Sequence, residues 1–117
     1  MGWSGRESRK VRDGMLTIRV IADGPARTLA LAGELDTANA ATLAAELETA
    51  EAGGAEPLTV DMGELEFIDS TGIAVLVAAH RRANADGEHL RFVRSRAAGV
   101  QRVMGVTGLE QELHFLS

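Results

Sequence analysis

The sequence of 117 residues predicts an α/β domain: one mixed parallel/antiparallel β-sheet with helices packed on it. Three observations lead there. Apolar residues alternate with polar ones over residues 16–20, 27–32 and 58–62, the period of half-buried strands. An amphipathic stripe with helical spacing lies between two of those stretches, which implies a β-α-β crossover and parallel pairing. The chain is 45% hydrophobic but only 3% aromatic, so its core is aliphatic, as helices on a sheet supply.

Taken in order, residues 1–14 (MGWSGRESRKVRDG) mix Gly, Ser and charges without usable periodicity. They are expected to form a flexible N-terminal arm, with Trp3 outside the core and the folded domain over 15–117. Leu16, Ile18 and Val20 predict a strand, Asp23-Gly24-Pro25 a turn, and Leu29 and Leu31 a second strand. Asp36 or Thr37 is expected to cap the first helix, whose stripe is Ala40, Leu43, Leu47 and Ala50 and which Gly53-Gly54 stops. Leu58, Val60 and Met62 predict the next strand, and Phe67-Ile68 leads to an Asp69-Ser70 junction. The following helix presents Ile73, Leu76, Val77 and His80 and ends near Arg81-Arg82, cations that suit the negative helix end. Residues 89–93 read as a strand, Ser95 as the cap of a short helix with Val100, Val103 and Met104, and residues 113–116 as a last apolar segment.

Composition narrows the function. There is no cysteine, which removes disulfides, thiolate metal sites and cysteine nucleophiles and suits a reducing, cytoplasmic setting. No run approaches the roughly 18 apolar residues of a membrane span. The net charge of -5 hides an asymmetry: residues 34–69 hold ten acids and no Lys or Arg, while residues 81–102 hold six arginines against Asp86 and Glu88. The acidic stretch argues against nucleic acid as the main partner and suits a protein with a basic face. The arginines read as a solvated surface.

Ser70 is the residue with the most chemical interest. It stands where a strand gives way to a helix, at free backbone N–H groups and the positive end of the macrodipole. Two readings fit: an N-cap worth about 1 kcal/mol, or a phosphoacceptor. Thr71 is a second hydroxyl one residue further on, and Gly72, costly in a helix, is expected to admit a partner's close approach. A nucleophile elbow needs a glycine where Ile68 stands, and His80, His89 and His114 are too scattered to supply a base. A receiver-type site at Asp61 lacks an acidic pair after the first strand, and the only lysine is Lys10 in the arm. The histidines lack metal-ligand spacing, Glu64 and Glu66 read as solvated, and neither nucleotide-binding glycine motif occurs. No enzyme activity, metal or cofactor is expected.

These residues resemble the STAS family, named after sulfate transporters and anti-sigma factor antagonists, and especially the bacterial anti-anti-sigma factors. The resemblance spans residues 15–116 and rests on Leu31-Ala32-Gly33-Glu34-Leu35-Asp36, Leu58-Thr59-Val60-Asp61-Met62, the run from Phe67-Ile68-Asp69-Ser70-Thr71-Gly72 to Leu76, and Val106-Thr107-Gly108-Leu109. It implies a partner switch. The unmodified protein binds an anti-sigma factor that is a serine kinase, phosphorylation at Ser70 releases it, and a serine phosphatase resets it. Asp69, Thr71 and Gly72 would form the contact loop, with Asp36 beside it at another helix mouth. The rival reading is a non-switching STAS subunit of a lipid-transport or stress-sensing assembly. An exposed edge strand of the opening hairpin would permit a weak homodimer.

Overall fold

Strands β1 (Arg6–Asp13), β2 (Leu16–Asp23) and β3 (Ala26–Leu35) form an antiparallel meander. β4 (Leu58–Ile68), β5 (Arg91–Val93) and β6 (His114–Leu116) continue the sheet in parallel from β3. The computed structural model describes residues 6–88 and 90–116. Spatial order follows chain order, β1-β2-β3-β4-β5-β6. Helix α1 (Ala40–Ala52) joins β3 to β4, α2 (Ser70–Ala85) joins β4 to β5, and α3 (Ala98–Val106) with the short α4 (Leu109–Glu112) joins β5 to β6. Right-handed crossovers that all step the same way put every helix on one face of the sheet.

Burial follows that arrangement. Leu16, Ile18, Leu29, Leu31, Val60, Met62 and Phe92 point to one side, where they form a single cluster with Leu43, Leu47, Leu76, Val100 and Met104 of the helices. Their strand neighbours Thr17, Arg19, Ala30, Asp61 and Arg91 stay half-buried or exposed on the opposite face, which no described helix covers. No helix among the described residues is long and apolar enough to cross a membrane.

The expected arm is corrected over residues 6–13, which form β1 and pair with β2 from Arg6↔Asp23 to Asp13↔Leu16. Val11 packs against the core, Arg9 pairs with Glu46 of α1 at 2.7 Å, and Asp13 accepts a hydrogen bond from Thr42 at 2.5 Å. Trp3 lies outside the described residues, as does His89. The sheet edge is therefore β1 and not the first strand of the expected hairpin.

Gly33 shows why the β2–β3 pair closes as it does. Its φ is +95°, and a Cβ there would stand 2.0 Å from the Met15 carbonyl oxygen, which accepts the Glu34 N–H at 2.9 Å. β3 then runs on to Leu35, so Asp36 and Thr37 do not cap α1; the cap position is Asn39. Asn39 is buried, and its side chain ties three segments together. Its Oδ1 accepts from the Asp36 N–H at 2.9 Å, and its Nδ2 donates to the Glu34 and Asp13 carbonyls at 2.9 and 3.3 Å. Helix α1 buries Ala40, Leu43 and Leu47 as its stripe predicts and stops at Gly53.

β4 is one strand where the sequence reads as two segments. Register shifts against β3, between Ala30 and Ala32 and between Gly33 and Glu34, let Met62, Leu65 and Ile68 all face inward at spacings of three. Arg82 of α2 grips Glu51 of α1 through Nε and Nη2, both at 2.9 Å. Ser95 does not cap α3, whose cap position is Ala97; it is buried, donating to the Leu65 carbonyl at 2.7 Å and accepting from the Ala97 N–H at 2.9 Å.

Candidate functional site: a free hydroxyl at a helix mouth

The parallel pairing of β3 and β4 delivers both strand ends, Leu35 and Ile68, to the same rim of the sheet. Each strand is followed there by an acidic residue, a hydroxyl residue and a helix. The main chain locks the two together, with the Asp69 N–H donating to the Leu35 carbonyl at 3.2 Å.

Asp69, and not Ser70, is the N-cap of α2. Its backbone is extended, and Oδ1 accepts from the Gly72 N–H at 3.0 Å. Oδ2 accepts from the Thr37 N–H and Oγ1 at 3.2 and 3.3 Å, and Thr37 Oγ1 lies 3.1 Å from Thr71 Oγ1. These donors hold the Asp69 carboxyl below its ordinary value of 3.8. The Gly72 N–H contributes most, the Thr37 and Thr71 donors reinforce it, and desolvation opposes them. The N-cap reading of Ser70 is thereby corrected. Ser70 is the first residue of α2, exposed, and its hydroxyl has no hydrogen-bond partner among the described residues.

Among the residues expected at this site, Asp69 and Thr71 share one hydrogen-bonded group, and Asp36 sits in the adjoining loop. There its carboxylate accepts from the Ala38 N–H at 3.0 Å. Gly72 is different. It is buried, and a Cβ there would meet Leu35 at 2.6 and 2.9 Å and Ile68 at 3.0 Å. The glycine lets the first turn of α2 close on the end of β3; it does not clear space for a partner. Thr37 is the residue that sequence reasoning assigned to the wrong task. Its link to Asp69 spans 32 positions and becomes visible only once β3 and β4 are known to be parallel neighbours.

The rim is acidic. None of Glu34, Asp36, Glu66 and Asp69 has an ion pair among the described residues, whose salt bridges lie elsewhere: Arg9–Glu46, Arg81–Glu112, Arg82–Glu51 and Arg94–Glu110. His80 is buried in α2, with Nε2 3.3 Å from Asn84 Nδ2, and His114 is on β6, so neither stands by Ser70 as a base. No group of three or more His, Asp or Glu among the described residues is arranged to hold a metal. A phosphate on Ser70 would find the helix mouth already filled by the Asp69 carboxylate. It would point outward, beside the Asp69 carboxylate.

Comparison with known proteins bears on the fold. The chain resembles the crystal structure of an anti-sigma factor antagonist from Mycobacterium paratuberculosis, with a TM-score of 0.75 and 22% identity over 86% of this chain and 84% of that one. It resembles SpoIIAA in its unphosphorylated form, with a TM-score of 0.64 and 15% identity over 95% of this chain and 88% of that one. The Bacillus cell fate determinant SpoIIAA in the phosphorylated form gives a TM-score of 0.62 and 18% identity over 95% and 92%. At these identities the likeness establishes a shared SpoIIAA-like fold. No curated protein sequence matches. The family model described as "Mlab, STAS domain" matches residues 18–116, nearly the whole chain, and the protein belongs to the STAS domain family.

Proposed function

We propose that the protein is an anti-sigma factor antagonist that works by partner switching in the cytoplasm. Unphosphorylated, it binds an anti-sigma factor serine kinase through the rim formed by Asp36, Thr37, Asp69, Ser70 and Thr71. Phosphorylation at Ser70 releases the kinase, and a serine phosphatase restores the binding form. The protein itself performs no catalysis in this scheme and needs no cofactor.

One observation carries the reading: Ser70 is exposed and unbonded because Asp69 has taken over the capping task. A kinase can therefore reach the hydroxyl without dismantling α2. The added phosphate brings about -1.5 to -2 charges and considerable bulk to a position where a partner would pack against a small hydroxyl, so close docking on the rim is blocked. If the blocked contact costs about 3 to 4 kcal/mol, affinity falls by about two to three decades, enough for a switch.

The test uses purified anti-sigma factor kinases from the same genome, each mixed with the protein and ATP. A stoichiometric mass gain on Ser70 with one of them, strong binding of Ser70→Ala and weak binding of Ser70→Asp are expected. Equal affinity of the two variants, or no modification by any kinase, defeats the proposal. The matching family model is described by Mlab and not by a sigma-factor regulator, which supports a second reading. In it the same rim belongs to a non-switching subunit of a lipid-transport or stress-sensing assembly, and Ser70 would never gain phosphate.

A further inference from the structure

On the helix-free face of the sheet, the three central strands carry a pattern of charge and apolar surface that is its own complement. The strand register lays it out in rows across β2, β3 and β4. Arg19, Ala30 and Asp61 share one row, Thr17, Ala32 and Glu64 the next. Met15, Glu34 and Phe67 share a third, with Met15 set against Glu34 by their backbone hydrogen bond. Arg19, Asp61 and Glu64 form no ion pair among the described residues, although Asp61 Oδ1 accepts from the Gly63 N–H at 2.8 Å and Arg96 lies near that glycine. Met15 and Phe67, 66% and 48% exposed, are two of the large apolar side chains that the core leaves out. A depression of about 420 Å³ runs between Lys10, Arg12 and Arg19 on one wall and Asp61 and Glu64 on the other.

We propose that this face is the interface of a symmetric dimer in which a second copy of the chain packs sheet against sheet, with the two-fold axis along β3. Such a rotation preserves position along the strands and exchanges the columns, so β2 of one copy lies over β4 of the other. Arg19 then meets the partner's Asp61, Thr17 offers its hydroxyl to the partner's Glu64, and Met15 covers the partner's Phe67. Each contact occurs twice. Ala30 and Ala32 lie at the axis, where small side chains let the sheets approach to about 10 Å. Tilting the axis by about 15° from the strands gives the relative angle of about -30° usual for aligned sheets.

Three terms keep the dimer weak. From strand spacing and rise, β2 to β4 present roughly 300 Å² per copy, under half a standard interface. β1 of each copy lies over β5 of the other, where Lys10 comes near the exposed Arg91. Glu34 also meets the partner's Glu34 near the axis, at a rim where water still reaches both. Pairing through the sheet edge is the competing geometry. There β1 presents Glu7, Arg9, Lys10 and Arg12, the charged composition that blocks strand addition. The dimer does not depend on any role of Ser70.

Sedimentation equilibrium of the full chain at low salt should show reversible dimerisation with a dissociation constant on the order of 0.1 mM. Arg19→Asp and Asp61→Arg should each weaken it about a hundredfold, because each creates two like-charge contacts, and the double swap should recover most of the loss. Circular dichroism checks that each variant is folded. The chain has no cysteine, so Ala30→Cys supplies a single probe on the axis, and a short bis-maleimide should link it to its own copy. That arm keeps the test decisive if a charge swap fails to fold. A monomer at about 1 mM, no recovery in the double swap, or no cross-link at residue 30 overturns the proposal. So does a dimer indifferent to both swaps.

Discussion

At the scale of single residues, Asp69 and Gly72 make Ser70 what it is. The carboxylate caps α2, binds Thr37 and leaves the neighbouring hydroxyl unengaged. Asp69→Ala should lower the thermal midpoint and loosen the β3–α1 loop, read as faster amide exchange at Thr37 and Gly72. The pH dependence has a definite sign. The folded carboxyl titrates below its unfolded value of 3.8, so in the interval between them the unfolded chain binds more protons. The stability this contributes is complete above that value and disappears as pH falls through the lower, folded one. Denaturant titrations along the acid limb should therefore flatten in Asp69→Asn, and an unchanged slope would assign the effect to another carboxylate. Gly72→Ala works through volume. Its added methyl overlaps Leu35, which is fully buried, so the gain in helix propensity is outweighed and destabilisation of about 1 to 3 kcal/mol is expected in equilibrium unfolding. Sequence alone showed that a glycine here is costly in a helix; only the packing of β3 beneath it shows what the cost secures.

At the scale of elements, legibility tracked how much of each segment is buried. β2 at Leu16 and Ile18, β3 at Leu29 and Leu31, and β4 at Leu58, Val60 and Met62 bury alternate residues and could be read from period alone. α1 could be read for the same reason, its stripe falling where the spacing placed it. β1 could not. An edge strand needs only one paired side, and its core-facing positions include Arg9, which meets Glu46 instead of apolar side chains. The start of α1 was misplaced because Asn39 satisfies the preceding turn from within, so Asp36 and Thr37 were free to serve the rim. β1 is testable directly. Its outward amides face water and its inward ones bond β2, so hydrogen exchange should protect about half of the amides in residues 6–13. Exchange as fast as in an unfolded peptide throughout that segment would return it to the status of an arm.

At the scale of the whole molecule, the sheet separates two chemistries. One rim gathers Asp36, Glu66 and Asp69 with the hydroxyls of Thr37, Ser70 and Thr71; the open face on the β1–β2 side carries Lys10, Arg12 and Arg19. A partner approaching the rim feels both the local acids and the net charge of -5, and a basic partner is drawn in by each. Association of the unmodified protein with the proposed kinase partner should therefore slow by roughly tenfold or more as salt rises from about 0.05 to 0.5 M, whereas dissociation should change little. Phosphorylation should act on the other rate. Attraction at long range persists or grows with the added charge, but close docking fails, so the lost affinity should appear mainly as faster dissociation. The folded state should notice little, because a phosphate at the first residue of a helix interacts favourably with the macrodipole by about 0.3 to 1 kcal/mol while Asp69 repels it. Stopped-flow association and dissociation rates, measured across salt for the Ser70 and phospho-Ser70 forms beside their melting curves, separate the contributions. A phosphorylated form that melts many degrees lower would mean that release comes from damage to the fold and not from blocked docking at its surface.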